Sequence, residues 1–468
     1  MTRRLLGILR ILLALLSLGS TLFAQKSVDL AISGGTVLTM NAGGEIIEDG
    51  YVAISRDRIV ALGPRSKLEK EFRPLRTISA NAELVMPGLI NTHTHVPMSL
   101  FRGIANDRSL KDWLEHFIFP AEVKNVTADF VYWGTLLGDL EMIQSGITTF
   151  ADMYYFEDQV ARGTKQAGLR AVLGETWLDF PAPDNKTFDA MVAYTERFLK
   201  QYQGDSLITP AVAPHAPFTV SPDHLMAAKS LADRFHAPLL IHVAETKHEE
   251  DDIMARYHAT PVQHLKNIGF LESSVVAAHC VWVDDRDIAT LKESNVGCAH
   301  NPSSNMMLAS GVAPVTKLLQ AGVDVGLGTD GPAGSNNDFN LFEEIDLASK
   351  LQKITQMDPK ALPAVQSVKM ATLGGARVLK MDKDIGSLEA GKKADLIIID
   401  LNHANEIPLY DYYAALAYSI KGCDVDTSII DGRIVMRHRH VLTLNEEQIF
   451  QKAREFRAKI LASLNNKN

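Results

Sequence analysis

Cysteine is scarce: Cys280, Cys298 and Cys423 are the only three in 468 residues. Their number is odd and none stands in a CxxC spacing, so neither a disulfide framework nor a thiolate zinc knuckle is available. Cys280 and Cys298 sit in the apolar runs VVAAHC and VGCAH, where buried free thiols are expected. Basic blocks are missing as well. With 47 Lys+Arg against 56 Asp+Glu the formal net charge is −9, and nothing in such a chain would displace phosphate counterions, which sets nucleic-acid binding aside. Low-complexity segments and short repeats are absent, and 46% hydrophobic with 22% charged residues excludes disorder and fibrous architectures.

Long hydrophobic runs are confined to the first 24 residues. MTRRLLGILRILLALLSLGSTLFA combines Arg3, Arg4 and Arg10 with a Leu-rich stretch that ends at small residues before Gln25. Charged, then apolar, then small is the order of a cleaved signal peptide, so residues 1–24 are expected to be a leader and the mature protein to be exported, periplasmic or secreted. Thr2-Arg3-Arg4-Leu5-Leu6 also resembles a twin-arginine signal. No second run follows that is long enough to cross a bilayer, so no stable membrane span is expected after cleavage.

From residue 84 onward, short and nearly continuous apolar runs alternate with longer amphipathic stretches. The runs cover 84–95, 148–154, 170–176, 208–215, 238–245, 274–280, 296–302 and 323–331. Continuous rather than alternating apolarity marks strands buried on both faces of a parallel sheet. Between two of them, Phe130, Trp133, Leu137 and Leu140 recur at helical spacing before Gly146, which predicts a helix over 127–145. Eight strands with helical crossovers predict an α/β fold, a (β/α)8 TIM-like barrel over 87–385. The flanks 25–86 and 386–442 show strand alternation and turn chemistry instead, and predict one β-rich domain built from both chain ends, with 27–83 as a small antiparallel sheet. Over 443–468 a C-terminal helix is expected, with Thr443 and Glu446 as a capping box and Ile449, Ala453, Phe456, Ile460 and Leu464 as one apolar stripe. Arg437-His438-Arg439-His440 reads as a solvated turn.

The C-terminal ends of the predicted strands carry the chemistry. His93 and His95 stand at i and i+2, so both imidazoles leave the strand on one face. His242 ends the fifth run, His279 the sixth and Asp330 the eighth, where barrel enzymes build their sites. A single buried His is usually a hydrogen-bonded core residue, but four of them and an Asp on one rim point to a metal. Imidazole and carboxylate without thiolate suit Zn2+, Fe2+, Mn2+ or Ni2+. A second ion would need a bridging acid or modified lysine on an inner strand. The fourth run ends in His215 and has neither Lys nor Glu, so one ion is expected. Asp330 is placed to accept a proton from water, His279 to orient that water, and Glu245, three residues past His242, to move protons to and from a substrate. The segment HNPSSNMMLASG brings His300, Asn301, Ser303 and Asn305 to the same mouth, to touch substrate or to brace a neighbour.

These residues resemble a known family. PGLINTHTH (87–95), His242-Val243-Ala244-Glu245, Ala278-His279-Cys280, Gly328-Thr329-Asp330-Gly331 and GSLEAGKKADLI (386–397) are similar to motifs of the amidohydrolase superfamily, and more narrowly of its methylthioadenosine/S-adenosylhomocysteine deaminase branch, relatives of the triazine chlorohydrolases. The resemblance covers nearly everything after residue 24. It implies a distorted barrel with a composite β-sandwich and a homo-oligomer. It also implies one Zn2+ per subunit on His93, His95, His242 and Asp330, with His279 on the water and Glu245 as proton shuttle. Trp113, Glu122 and His215 would join Glu245 and Asp330 around the substrate. The implied reaction is hydrolytic deamination of the adenine ring of a 5′-substituted adenosine (methylthioadenosine, S-adenosylhomocysteine, 5′-deoxyadenosine or adenosine). The alternative is deaminase, chlorohydrolase or amidohydrolase action on another N-heterocycle, guanine-like or triazine-like. In one respect the chain departs from the branch, which uses Arg after the third strand to hold the homocysteine carboxylate. Here Glu175 stands at the matching position, and 171–196 offer Lys186 as the single cation, so a homocysteinyl substrate is expected to lose a bidentate partner and meet a like charge.

Overall fold

The structure is a computed structural model that describes residues 25–465; the leader expected at 1–24 lies outside the described residues. All eight apolar runs contain strands, and these close into a parallel barrel. In chain order they are β1 (Leu89–Thr94), β2 (Ile147–Tyr154), β3 (Arg170–Trp177), β4 (Ile208–Pro214), β5 (Leu239–Val243), β6 (Val275–His279), β7 (Gly297–His300) and β8 (Val325–Leu327), with β8 returning to β1. Every residue of every barrel strand except β4 is buried, which is why the sequence shows no polar alternation there. Ile90, Met153, Val172, Ala213, Leu240 and Val276 fill the interior.

The first run splits in two. Glu83–Pro87 is a strand of the β-rich part, and β1 begins only after Gly88, where a Cβ would lie 2.1 Å from the Thr148 side chain. Two sheets make up that β-rich part. Four strands pair in the order Arg58–Pro64, Gly50–Ser55, Lys26–Ser33, Phe72–Ser79. Seven more run His440–Val441, Arg433–Arg437, Val425–Ile430, Leu396–Asp400, Glu83–Pro87, Thr36–Leu38, Ile46–Ile47. Four strands from the C-terminal part and three from the N-terminal part thus share one sheet, joined where Leu396–Asp400 pairs with Glu83–Pro87, and Ile32, Val52, Ile54, Val85, Leu396 and Ile398 meet in a common core. The segment 27–83 is not the single antiparallel sheet its alternation predicts. Lys26–Ser33 runs parallel to Phe72–Ser79, and the chain changes sheet at Gly34 and Gly35, both left-handed, where a Cβ on Gly35 would lie 2.2 Å from the carbonyl oxygen of Ala80.

Helix α1 (Ala128–Gln144) starts at Thr127, whose hydroxyl accepts the Phe130 amide, and stops before Gly146 at φ +83°. The C-terminal helix α2 (Glu446–Asn465) buries Ile449, Phe456 and Ile460, with Phe456 edge-on to Phe130 of α1 at 5.6 Å. Its expected capping box does not form: Asn445 Oδ1 accepts the Gln448 amide, while the Thr443 hydroxyl is spent on the carbonyl of Ala167. The basic segment 437–440 is a tight hairpin with His438 and Arg439 left-handed, and it is not simply solvated. Arg439 donates to the carbonyls of Gln144, Gly422 and Val425, clamping the end of α1.

One buried ion network joins barrel and sandwich. Arg170 opens β3 and grips Asp395 through Nε and Nη2 at 2.8 and 3.3 Å, while the same Nη2 lies 3.1 Å from Asp431. Arg170 and Asp395 are 5% and 4% exposed, so removing the cation strands a carboxylate in low dielectric, a loss of about 3–5 kcal/mol. Arg170→Met is expected to lower unfolding stability in urea by that amount. Arg170→Lys should recover only part of it, because an ammonium cannot bridge both carboxylates as a fork. A change below about 0.5 kcal/mol in the Met variant would show that the network does not hold the two parts together.

Candidate active site

Five rim residues converge. The ring centroids of His93 and His95 are 4.9 Å apart, His242 lies 4.9 Å from His93, and His279 lies 5.4 Å from His93. Asp330 Oδ1 stands 3.2 Å from His95 Nε2 and 3.5 Å from His93 Nε2. Two overlapping groups, His93–His242–His279 and His93–His95–Asp330, each hold their donor atoms within 4.8 Å of one another. The strand ends turn sharply here. His279, Asp330 and Ala244 all have positive φ, at +75°, +63° and +53°, a conformation that non-glycine residues adopt at a cost and that clusters at functional sites. Gly328 is required by close approach: a Cβ there would meet Asn301 Oδ1 at 2.3 Å and His93 Cβ at 2.9 Å.

The donor set fits a divalent first-row ion. His95 Nδ1 lies 2.6 Å from the Met153 carbonyl and His242 Nδ1 2.7 Å from that of His215. Carbonyls only accept, so both Nδ1 atoms carry their proton and both Nε2 lone pairs face inward. His93 Nε2 is buried with no hydrogen-bond partner, an orphan nitrogen that a cation would satisfy. Burial pushes His93 down to about 4 and His242 well below the usual imidazole value, keeping both neutral. Burial also opposes charge on Asp330, but the neighbouring His93 and His95 rings hold its carboxyl well below the ordinary range. Burial works the same way against His95, where the attraction of Asp330 prevails and raises it to about 9; without a cation its Nε2 therefore carries a proton toward Asp330, and a bound cation would have to displace that proton to take the lone pair.

A narrow inner chamber of about 50 Å3 lies over these residues, and Trp113, Glu122, His215 and Glu245 all line it. Glu245 is buried, with Oε1 unpartnered and Oε2 3.7 Å from His279 Nε2. Burial and the field of Asp330 push its carboxyl up to about 8. Its backbone is held by Glu249, which accepts the amides of Ala244 and Glu245. Glu122 is buried and accepts the hydroxyls of Tyr154 at 2.7 Å and Tyr155 at 3.4 Å. The Trp113 indole N–H is spent on the Ala333 carbonyl, so the ring rather than the N–H is available to a ligand. His215, pushed down to about 3 by burial, meets Thr219 Oγ1 through Nδ1. The inner chamber shares Leu110, Leu114, Phe119, Phe218 and Leu308 with an outer one of about 830 Å3.

Two expectations need correction. Glu175 does not face a ligand: it points out of the barrel, where it accepts from Asn185 Nδ2 and the Glu157 amide, and its neighbour Thr176 lines the chamber instead. Strand alternation allows one of the two to face inward, and β3 presents Thr176. Cations are present after all, since Lys111, Lys247 and Arg256 line the outer chamber from segments remote from β3. Nor do His300, Asn301, Ser303 and Asn305 line either chamber; of the two roles expected of the segment, Asn301 and Asn305 take that of bracing a neighbour, His279. Asn305 Oδ1 lies 3.0 Å from His279 Nδ1, and Ser304 donates to Asp330 Oδ2 at 2.5 Å. The sequence reading missed Ser304, Thr219, Glu249 and the Tyr154–Tyr155 pair, although the tyrosines sit at the end of β2, where the strand-end rule would have flagged them.

Against known proteins, residues 84–435 match the Amidohydrolase family. The chain is 45% identical over 440 residues to the 5-methylthioadenosine/S-adenosylhomocysteine deaminase 1 of Syntrophus aciditrophicus, covering 94% of this chain and 99% of that one. It is 43% identical over 439 residues to the 5'-deoxyadenosine deaminase of Methanosarcina acetivorans, with 93% and 99% covered. Among solved structures, an adenosine deaminase from Xanthomonas campestris with bound zinc superposes with a TM-score of 0.92 at 36% identity, covering 94% of this chain and all of that one.

The buried acids have a consequence for stability. Burial raises Glu122 to about 7, and Glu249 and Glu344 to about 8, from 4.5. Folding therefore keeps protons that the unfolded chain releases, and stability falls as pH climbs toward these raised values. The buried imidazoles with lowered values act in the opposite sense only below their unfolded value of 6.5. For metal-stripped protein, the melting temperature is expected to decline between about pH 6.5 and 8, and Glu344→Gln should flatten that decline. A melting temperature that is level or rises across this window would contradict the assignment.

Proposed function

The chain belongs to the amidohydrolase family, and on that premise we propose that it hydrolytically deaminates the adenine ring of a 5′-substituted adenosine to the inosine analogue and ammonia. The observation that carries this reading is Glu245: a buried carboxyl that keeps its proton near neutral pH, beside His279 and over the His/Asp donor set. Amide cleavage has less need of such a group, whereas an aminopurine must be protonated at a ring nitrogen before C6 accepts water. The deaminase names of the relatives agree with this reading.

One Zn2+ per subunit would be held by Nε2 of His93, His95 and His242 and by the carboxylate of Asp330. When bound, the ion supplies Lewis acidity that makes water a nucleophile at neutral pH. Asp330 accepts the proton of that water, and His279 orients it through Nε2. Glu245 donates its proton to N1 as water adds to C6; left as a carboxylate, it takes the proton of the new C6 hydroxyl and passes it to the amine, which leaves as ammonia as the C6–N bond breaks and C6=O forms, and the proton held by Asp330 then returns to Glu245. Trp113 offers its ring face to the nucleoside, and Glu122 accepts hydrogen bonds from the ribose hydroxyls with Tyr154 and Tyr155 steadying its carboxylate. His215 borders the purine. The 5′ substituent extends past Phe119 and Phe218 into the outer chamber, whose aromatic walls and cations admit apolar and charged groups alike. Residues 1–24 act as a leader, and the exported enzyme forms a homo-oligomer that works on external nucleosides.

Zinc-loaded protein offered adenosine, 5′-deoxyadenosine, methylthioadenosine, S-adenosylhomocysteine, guanine and a triazine should release ammonia from the adenine nucleosides. Turnover confined to guanine or the triazine would reject the reading. In the same assay Glu245→Gln should retain zinc and lose about 10²–10⁴-fold in kcat. Expressed with its leader, the enzyme should appear outside the cytosol beginning at Gln25; full-length protein held in the cytosol would refute export.

A further inference from the structure

The motif HNPSSN, residues 300–305, is not used by the chemistry above, yet it touches two of the groups that perform it. β7 ends at His300, and the short helix Pro302–Met307 follows at once. From that helix two adjacent side chains diverge, Asn305 toward the end of β6 and Ser304 toward Asp330, three residues past β8. Both are fully buried. Asn305 Oδ1 lies 3.0 Å from His279 Nδ1. An amide oxygen only accepts, so this contact requires the proton on Nδ1 and leaves Nε2 as a bare lone pair. Asn301 Nδ2 approaches the same Nδ1 at 3.3 Å, a longer contact that would favour the opposite tautomer. The ring is enclosed, with His279 only 1% exposed. On the other side, the Ser304 hydroxyl donates to Asp330 Oδ2 at 2.5 Å, and the Gly331 amide donates to Oδ1 at 2.7 Å. The carboxylate therefore has one rotational setting, with Oδ1 toward His93 and His95.

We propose that Asn305 and Ser304 are positioning residues: Asn305 holds His279 as the Nδ1–H tautomer with the Nε2 lone pair turned to the reaction centre, and Ser304 locks the rotation of the Asp330 carboxylate. The tautomer decides what His279 can do. A bare Nε2 accepts a hydrogen bond from the nucleophilic water and aims its oxygen lone pair at the substrate. An Nε2–H would instead donate to that oxygen and occupy the lone pair needed for attack. The inference rests on the roles given above to His279 and Asp330, but tautomer and carboxylate setting are properties of the resting protein and are measured without substrate.

The test uses full-length mature protein labelled with 15N-histidine, metal-free and zinc-loaded, with His279 assigned by the signal lost in His279→Gln. Two-bond 1H–15N spectra of the wild type should show a protonated Nδ1 and an unprotonated Nε2 at His279. Asn305→Leu should transfer the proton to Nε2, in part or wholly, at unchanged zinc stoichiometry. In this variant kcat should fall about 10–100-fold with little change in KM, whereas Asn305→Asp, which keeps an acceptor oxygen, should restore both the tautomer and most of kcat. Ser304→Ala should weaken zinc binding about tenfold by competition with a chromophoric chelator. A wild-type spectrum with the proton on Nε2 overturns the Asn305 assignment even if no variant folds. So does an Asn305→Leu protein that keeps the Nδ1–H signature, and unchanged zinc affinity in Ser304→Ala overturns the other half. If no adenine nucleoside is turned over, the spectra still read the tautomer, so failure of the proposed reaction and failure of this inference are distinguishable.

Discussion

The seam between β8 and β1 is the constraint on which the site depends. Seven of the barrel's eight junctions lie between strands that follow each other in sequence, whereas this one joins residues some 235 positions apart. Regular pairing there is reduced to Leu327 opposite Asn91, with an isolated bridge between Thr94 and Asp330. Side chains complete the ladder. Asn91 gives Nδ2 to Thr329 Oγ1 and takes the Thr329 amide on Oδ1, Thr92 donates to the Leu327 carbonyl, and the Asp330 amide reaches the His93 carbonyl. In a buried interior each of these groups must be paired, so closing the barrel and placing Asp330 beside the two histidines of β1 are one event.

Electrostatics then follow from burial. The rim holds more ionisable groups than it has solvent to share among them, and each settles by pairing or by giving up its charge. Asp152 shows the first course, since Oδ1 accepts both the Thr94 hydroxyl and the Val96 amide and so pins the turn that carries His93 and His95. Glu245 and Glu249 show the second, retaining protons near neutrality. A group that stays protonated at pH 7 yet sits among bases is suited to passing protons, and ordinary hydrophobic packing around it is sufficient to produce one.

The barrel was legible in the sequence because strands buried on both faces lose their polar alternation, a signal strong enough to mark all eight. His93, His95, His242, His279 and Asp330 were legible because they end those strands. What could not be read depends on parity and on distant partners. Glu175 and Thr176 are neighbours on β3, and only the barrel's curvature decides which faces in. Thr443 looks like a helix cap until the Ala167 carbonyl, nearly three hundred residues away, claims its hydroxyl. Lys111 belongs to one segment and Lys247 and Arg256 to a single helix, Lys247–Tyr257, far along the chain, with no local pattern announcing that they meet at one chamber. Ser303 and Asn305 looked like mouth residues because their segment follows a strand end; a helix beginning at Pro302 turns them behind the rim instead.

The composite sandwich bears on how the molecule comes into being. Glu83–Pro87 lies between Thr36–Leu38, its neighbour in early sequence, and Leu396–Asp400, which a ribosome delivers more than three hundred residues later. Until then one edge of the nascent strand has no partner, and pairings so distant in sequence form slowly. During synthesis the first sixty described residues are therefore an open sheet edge, the kind of surface that recruits unwanted neighbours, and a holding chaperone has its natural target there rather than in the barrel.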